Sequence, residues 1–359
     1  MISENDISKV LTIVIPTYNR KERLLEQLES ICRYASIDDY YLVLVDNCSN
    51  YNVMLAVSEN FPVEFVENIQ YVRNQFNTHI GFNLANCFLY PKTPWMLQTS
   101  DDDEYNDGFM STILQYINTY PDACCIQFAL GKNVKFGDLH INTLKQYNDG
   151  LWRKYLSGDC LYLGNKLYNI KLLHEYIHEA FVYSYSAASF LMPTLHFLWD
   201  KKGYMIVSDK KLGFYKPNPG GWGDGFGFLK VALQISTVCD VPWSDGTNHK
   251  QVKYVRNILT GHFQIQMIRF LSGCVKIEEQ SYRKYLYRRV MSTIYADCYR
   301  PRQILYRLCY HIEILTSLPI ISKMIPLTIN VYEKWKQKQK QKEDNGIFYQ
   351  LYKKYHQTT

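Results

Sequence analysis

The sequence lacks most of the features that would take it out of the ordinary globular class. Ten cysteines occur in 359 residues without a Cys-x-x-Cys pair or a regular framework. That argues against a zinc ribbon, a dithiol redox centre or a disulfide scaffold. Cys124 and Cys125 are adjacent in an apolar run and read as buried thiols. No apolar stretch reaches the length of a membrane span. The nearest approach, Leu315 to Val331, is interrupted by Pro319, Lys323 and Pro326. The opening residues MISENDISK are polar, so no signal peptide is expected there, and the expected compartment is the cytoplasm. Neither an internal repeat nor a nucleic-acid-binding motif is present.

What is present fits one large domain with an extension, or two domains. Apolar residues make up 47% of the chain, enough for a sizeable core, and 31 tyrosines raise the aromatic share to 15%. Tyrosine offers apolar area with a hydrogen-bonding tip, which suits sugar surfaces, although compositional bias explains it equally well. The net charge of +6 is unevenly spread. From Lys250 onward there are 20 Lys/Arg against 7 Asp/Glu, a net of +13, which leaves −7 for the first 249 residues. A basic C-terminal stretch of this kind suggests an anionic partner.

Apolar patterning outlines the elements. Leu11 to Ile15, Tyr40 to Val45, Trp95 to Thr99 and Ala123 to Leu130 read as strands. Val63 to Val66 is a further apolar run. Lys21 to Cys32 and Ile80 to Leu89 read as helices, as does Asp107 to Tyr120 with an Asp cap and Pro121 beyond its end. Ala187 to Lys201 reads as a helix that Pro193 kinks or delays, followed by a strand at Tyr204 to Val207. From Leu229 onward the pattern is largely helical. The alternation predicts an α/β fold: a mostly parallel sheet with helices on both faces, plus a C-terminal helical extension. Ligands of such sheets bind beyond the carboxyl ends of the strands. Thr17-Tyr18-Asn19-Arg20, Asp46-Asn47 and Asp101-Asp102-Asp103 all fall there.

Three adjacent carboxylates are costly to keep ionised. At ~4 Å and an effective dielectric of about 20, each like-charge pair costs on the order of 4 kcal/mol. A divalent cation such as magnesium or manganese removes that cost. The plainer alternative is an Asp-rich loop ahead of a helix N-terminus, where negative charge is favourable.

Leu11-Thr-Ile-Val-Ile-Pro-Thr-Tyr-Asn-Arg20, Leu42-Val-Leu-Val-Asp-Asn-Cys-Ser49 and Ser100-Asp-Asp-Asp103, in this order, resemble the motifs of family 2 glycosyltransferases. The resemblance covers residues 9 to 130 well and 131 to 215 weakly. It implies the GT-A fold, a Rossmann-like α/β sheet, over residues 1–228: 9–130 for the nucleotide sugar, 131–228 for the acceptor. Residues 229–359 would be the basic, Tyr-rich extension. It implies that Pro16, Thr17 and Tyr18 line a base pocket beside Arg20, and that Asp46 bonds the base, typically uracil. Arg73, or Asn83 and Asn86 near Gly81, would flank the nucleotide; the family's Asn-x-Gly is here Asn77-Thr-His-Ile-Gly81. Asp101 and Asp103 would form the Asp-x-Asp pair, touching ribose and a Mn2+ or Mg2+ ion on the diphosphate. Asp102 is the alternative to Asp101.

The implied reaction is inverting transfer of a sugar from a nucleotide-diphosphate donor, UDP-linked by family habit, to a glycan acceptor in surface polysaccharide synthesis. It needs a base for the acceptor hydroxyl. The segment where the family carries it, Tyr183 to Ser189, has no carboxylate. Candidates are Glu179 and Asp224, then His178 and Asp209, though any one charged residue is more often merely solvated. Residues Gly220 to Phe226 lack the dinucleotide-binding spacing and read as a loop, with Trp222 as a sugar-stacking face or as a plain linker. The extension would meet an anionic membrane and a lipid-linked acceptor, or pack as a helical subdomain or dimer contact. A catalytically weak scaffold is the competing reading. A nucleotidyltransferase is disfavoured, because Pro16 to Arg20 contains no glycine.

Overall fold

The computed structural model describes residues 9–101, 103–130, 135–153, 158–215, 225–240, 243, 249–264 and 279–294. The chain divides into two compact units, one of residues 1–223 with 230–265, the other of 224–229 with 266–359.

The first unit holds an eight-stranded sheet. Its strands in chain order are β1 (Leu11–Thr17), β2 (Tyr40–Asp46), β3 (Ile69–Arg73), β4 (Trp95–Gln98), β6 (Ala123–Phe128), β7 (Asp138–Ile141), β8 (Lys166–Asn169) and β9 (Tyr204–Ser208); β5 (Asp103–Tyr105) and β10 (Gly213–Tyr215) form a separate ribbon. The spatial order is β3-β2-β1-β4-β8-β6-β9-β7. Only β8 and β7 run against the rest, so the sheet is mixed, with six of its eight strands pointing one way. Every residue of β1 and of β6 is buried, as expected of strands covered on both faces. Helix α1 (Lys21–Tyr34) buries Leu24, Leu28 and Ile31 at helical spacing against this core.

Two details depart from the sequence reading. Val63 to Val66 lies in a short helix (Val63–Glu67), and the third strand is Ile69–Arg73. Pro62 precedes that helix with its fixed φ, so an apolar run too short to show a period turned helical. The helix Phe109–Thr119 has no Asp cap. Gly108 stands at its N-cap with φ 77°, a turn that glycine makes without strain, while Asp107 is exposed. The helix after Ser189 starts late, as one of the two readings of Pro193 had it: it begins at Met192 with Pro193 in its first turn and a 3-10 turn, Ser189–Leu191, ahead of it.

The order of the strands opens a crevice. From β1 the chain proceeds to β2 and β3 on one side, then returns to place β4 on the other. β1 pairs with β4 only as far as Val14, with a last bond from Thr99 N–H to the Val14 carbonyl, but with β2 as far as Thr17. The sheet therefore splits beside Ile15 to Thr17. Pro16, which has no N–H to give, falls within the split.

In the second unit, helix Gln280–Thr293 buries Leu286 and Val290 and exposes Tyr282 and Tyr285, whose rings stack at 6.2 Å. Among the described residues no helix is long and apolar enough to cross a membrane.

Candidate functional site

The polar ends of β1, β2 and β4 meet at the crevice. Asp46 ends β2 with no exposed surface. Its Oδ1 accepts the Ser49 N–H at 2.8 Å; its Oδ2 accepts the Tyr71 hydroxyl at 2.8 Å and Arg73 Nη1 at 2.6 Å. Buried carboxylates persist only when hydrogen-bonded or paired, and Asp46 is both. Arg73 also donates to the Ser49 carbonyl at 2.8 Å, tying the turn after β2 to the end of β3. Tyr71 was not singled out from the sequence; its signal is period two with Arg73 on the strand beside Asp46.

Asp101 follows β4 and is buried. Its Oδ2 accepts Thr17 Oγ1 at 3.0 Å and its Oδ1 accepts Arg20 Nη1 at 2.9 Å. Thr17 thus joins the two sides of the split at its base. Tyr51 stands near both carboxylates, and burial first, then the charges of Asp46 and Asp101, pushes its phenol up to about 12. Tyr18 is exposed beside Arg20. Asp103 Oδ2 faces the Ser100 N–H at 3.3 Å and Thr99 Oγ1 at 3.4 Å. Asp103 belongs to β5, opposite Tyr215 of β10. Asp102, the loop from Lys216 to Asp224 and Trp222 within it lie outside the described residues.

Asn83 takes part in an amide cluster. Asn74 Nδ2 donates to Asn83 Oδ1 and to Asn47 Oδ1, both at 2.9 Å, and Asn86 Nδ2 donates to Asn74 Oδ1 at 3.2 Å. Asn47 Oδ1 also receives the Thr78 N–H and hydroxyl, at 2.9 and 2.8 Å. The longer spacing before Gly81 is absorbed at His79, which holds φ 70°. Gly81 is obligatory: a Cβ there would stand 2.2 Å from the Ser184 carbonyl and 2.4 Å from that of Ser186.

The candidate bases are placed elsewhere. Glu179 lies on the helix Ile177–Val182, its side chain 17% exposed, 3.1 Å from His178 Nε2 and 3.5 Å from His196 Nδ1. Burial raises its pKa, against the lowering effect of His178. Burial also drops His196 to about 3, so it is neutral and its approach to Glu179 is a contact without charge pairing. His196 stacks on Trp243 at 4.1 Å. Asp209 Oδ2 accepts the N–H groups of Phe136 and Gly137, each at 2.7 Å, and so fastens that loop.

Asp101 and Asp103, together with the nearby Thr17 and Thr99 hydroxyls, offer oxygen only, the donor set of a hard cation such as Mg2+ or Mn2+. Among the described residues no three His, Cys, Asp or Glu side chains gather into a closed cage.

Residues 12–188 match the family model described as Glycosyl transferase family 2. A Haemophilus influenzae protein described as an uncharacterized glycosyltransferase is 28% identical over 113 residues, 32% of this chain and 36% of that relative's length. The S. aureus TarS fragment 1–349 superposes with a TM-score of 0.54 at 14% identity, covering 89% of this chain and 92% of its own. The same fragment in complex with UDP-GlcNAc gives 0.54 at 15%, covering 91% and 92%. A mannosyltransferase from Pyrobaculum calidifontis, in complex with GDP-Man and Mn2+, gives 0.50 at 10%, covering 92% and 89%. Sequence match, strand order and crevice agree: residues 12–188, just under half of the chain, match glycosyltransferase family 2, and the fold is of the GT-A type.

Proposed function

We propose that the protein is an inverting, metal-dependent glycosyltransferase that moves a sugar from a nucleotide diphosphate, most simply UDP, to a glycan acceptor in surface polysaccharide assembly. The observation that carries this reading is the convergence of Asp46 and Asp101 with Thr17, Arg20 and Arg73 at the split between β1 and β4, with Asp103 held against Thr99 and Ser100 just beyond β4. Ligand complexes of similarly folded proteins, one with UDP-GlcNAc and one with GDP-Man and Mn2+, support the donor class.

In this reading Asp46 and Arg73 receive the base, with Pro16, Thr17 and Tyr18 along its edge and Asn83 and its amide cluster behind. Asp101 and Arg20 meet ribose and diphosphate, and Asp101 or Asp102 joins Asp103 in holding the cation. A bound divalent cation would stabilise the negative charge that grows on the departing diphosphate. Arg20 is placed to follow that charge from Asp101 to phosphate, since a guanidinium bonds either oxyanion. Glu179, with its raised pKa, is the proposed acceptor base. Asp224 is the alternative. Residues 1–228 would carry the reaction, and the basic 229–359 would lie on anionic lipid near a lipid-linked acceptor.

Calorimetry with UDP, GDP, CDP and dTDP, with and without manganese, tests the donor site. Tight manganese-dependent binding of one diphosphate, lost in Asp103→Ala, is expected. Binding of none by the wild type sinks this reading. A second reading, a scaffold that binds nucleotide sugar without turnover, is favoured by one observation: Tyr183 to Ser189 carries no carboxylate, and Glu179 is engaged with histidines. Donor binding with no hydrolysis or transfer would select it.

A further inference from the structure

Lys166 opens β8, in the middle of the sheet, and is 1% exposed. No other lysine or arginine among the described residues is buried. An ammonium taken out of water is costly unless an anion compensates it. Lys166 has no such direct partner. Its Nζ donates to the Asp159 carbonyl at 3.2 Å, to Asn165 Oδ1 at 2.7 Å and, closely, to the Tyr162 carbonyl. The Phe190 ring lies 5.5 Å away. Cys125 and Cys160 also face it, but burial pushes both thiols up to about 12, so neither is an anion near neutral pH. Asp159 Oδ2 accepts the Leu130 N–H at 2.9 Å. Lys166 still feels the charge of the Asp159 carboxylate and, more weakly, that of Asp103, but neither makes an ion pair with it.

The three acceptors belong to one loop, residues 159–165, and the ammonium gathers it. The loop delivers Gly164 against the donor end. A Cβ on Gly164 would stand 2.2 Å from Asp103 Oδ2 and 3.0 Å from Thr99 Oγ1. The Tyr105 hydroxyl reaches the Gly164 carbonyl at 3.5 Å, and Asn165 Nδ2 fastens the loop to the Phe128 carbonyl at 2.8 Å. Tyr162, Gly164 and Asn165 line a cavity of about 10 Å³ beside Asp103.

We propose that Lys166 is a positioning residue of the donor site: by gathering loop 159–165 it presses Gly164 onto Asp103, fixes that carboxylate against Ser100 and Thr99, and offsets its charge from beneath. The inference rests on the donor-site reading of Asp103. It explains why an unpaired ammonium is kept where a methionine would pack at lower cost. It also makes Lys166 a partner of the cation-holding carboxylate without touching donor or metal.

The test compares wild type, Lys166→Met, Asp103→Asn and the double variant by calorimetry with UDP and manganese, and with UMP in the absence of metal. Lys166→Met is expected to weaken manganese-dependent UDP binding about 10- to 100-fold, as removal of groups behind metal ligands does. Metal-free UMP binding, which reads Asp46 and Arg73, stays unchanged. In the Asp103→Asn background the Lys166 substitution adds no further loss, because its effect runs through that carboxylate. Gly164→Ala reproduces the pattern, and it carries the test if Lys166→Met does not fold, since it leaves the ammonium and its acceptors in place. Equal weakening of UMP and UDP, or additive losses in the double variant, overturns the proposal. If wild type binds no nucleoside diphosphate, the donor reading fails, and the unfolding midpoints of the same four proteins decide instead: non-additive shifts support the coupling of Lys166 to Asp103, and additive shifts overturn it.

Discussion

The crevice end of the sheet and the Glu179 region handle their carboxylates in opposite ways. At the donor end each aspartate is met by groups that favour its charge: Asp46 by Arg73, Tyr71 and Ser49, Asp101 by Arg20 and Thr17. Around Glu179 the neighbours are a neutral histidine, His178 and aromatic rings, and desolvation raises its pKa. On the proposed reading the first environment would hold fixed negative charge for a cation and phosphates, and the second would keep a carboxylate ready to take a proton. One protein can thus hold an acid group ready for each task, because strand ends supply guanidinium and hydroxyl groups while packed helices supply apolar walls.

The largest effect that would sharpen this contrast is expected at Asp101. Asp101→Asn should lower turnover on the order of 10³-fold, about 4 kcal/mol, through loss of diphosphate and cation binding. Steady-state kinetics alongside calorimetry checks it, and unchanged UDP binding would break the assignment. Glu179→Gln should lower turnover by roughly 10²-fold while UDP binding stays as in wild type. The acid limb of wild-type kcat/KM should then lie above the ordinary 4.5 of a glutamate. If both variants lose binding alike, the two regions do not divide the work.

Smaller effects address stability. Gly81→Ala drives a Cβ into the Ser184 and Ser186 carbonyls and should cost about 1–3 kcal/mol, read as a lower midpoint in urea. It disturbs the join between the donor-side helix Ile80–Asn86 and the segment 184–186. His196 is held neutral, with a folded pKa near 3 against 6.5. A group whose folded pKa is depressed contributes stability that is present above its unfolded value and is lost as pH falls toward the folded one. Thermal melts should therefore show a decline between pH 6.5 and pH 3. His196→Phe, which keeps a ring against Trp243, should flatten that part of the decline.

Legibility followed the locality of the signal. Asp46 and Asp101 were legible as strand-end carboxylates because Asp46 ends the apolar strand β2 and Asp101 follows shortly after β4, at the edge where such sheets bind ligands. Tyr71 and Lys166 were not singled out. Tyr71 matters only because β3 lies beside β2, and Lys166 only because loop 159–165 folds back over it. Helix Val63–Glu67 was missed because five residues are too few to show a period. Glu179 was named for its place just upstream of the segment where the family carries its base, but its proximity to His196 comes from the packing of two separate helices.

The sequence by itself determined the α/β alternation, the aspartates at the strand ends and the charge asymmetry between the chain's two parts, because each is a property of consecutive residues. Tertiary structure alone decided which cation meets which carboxylate, that Gly81 and Gly164 have no room for a side chain, and that one lysine is buried against the loop 159–165. Those are distances between residues far apart in the chain, set by how strands are ordered and how loops close over them, and no local pattern of residue types encodes them.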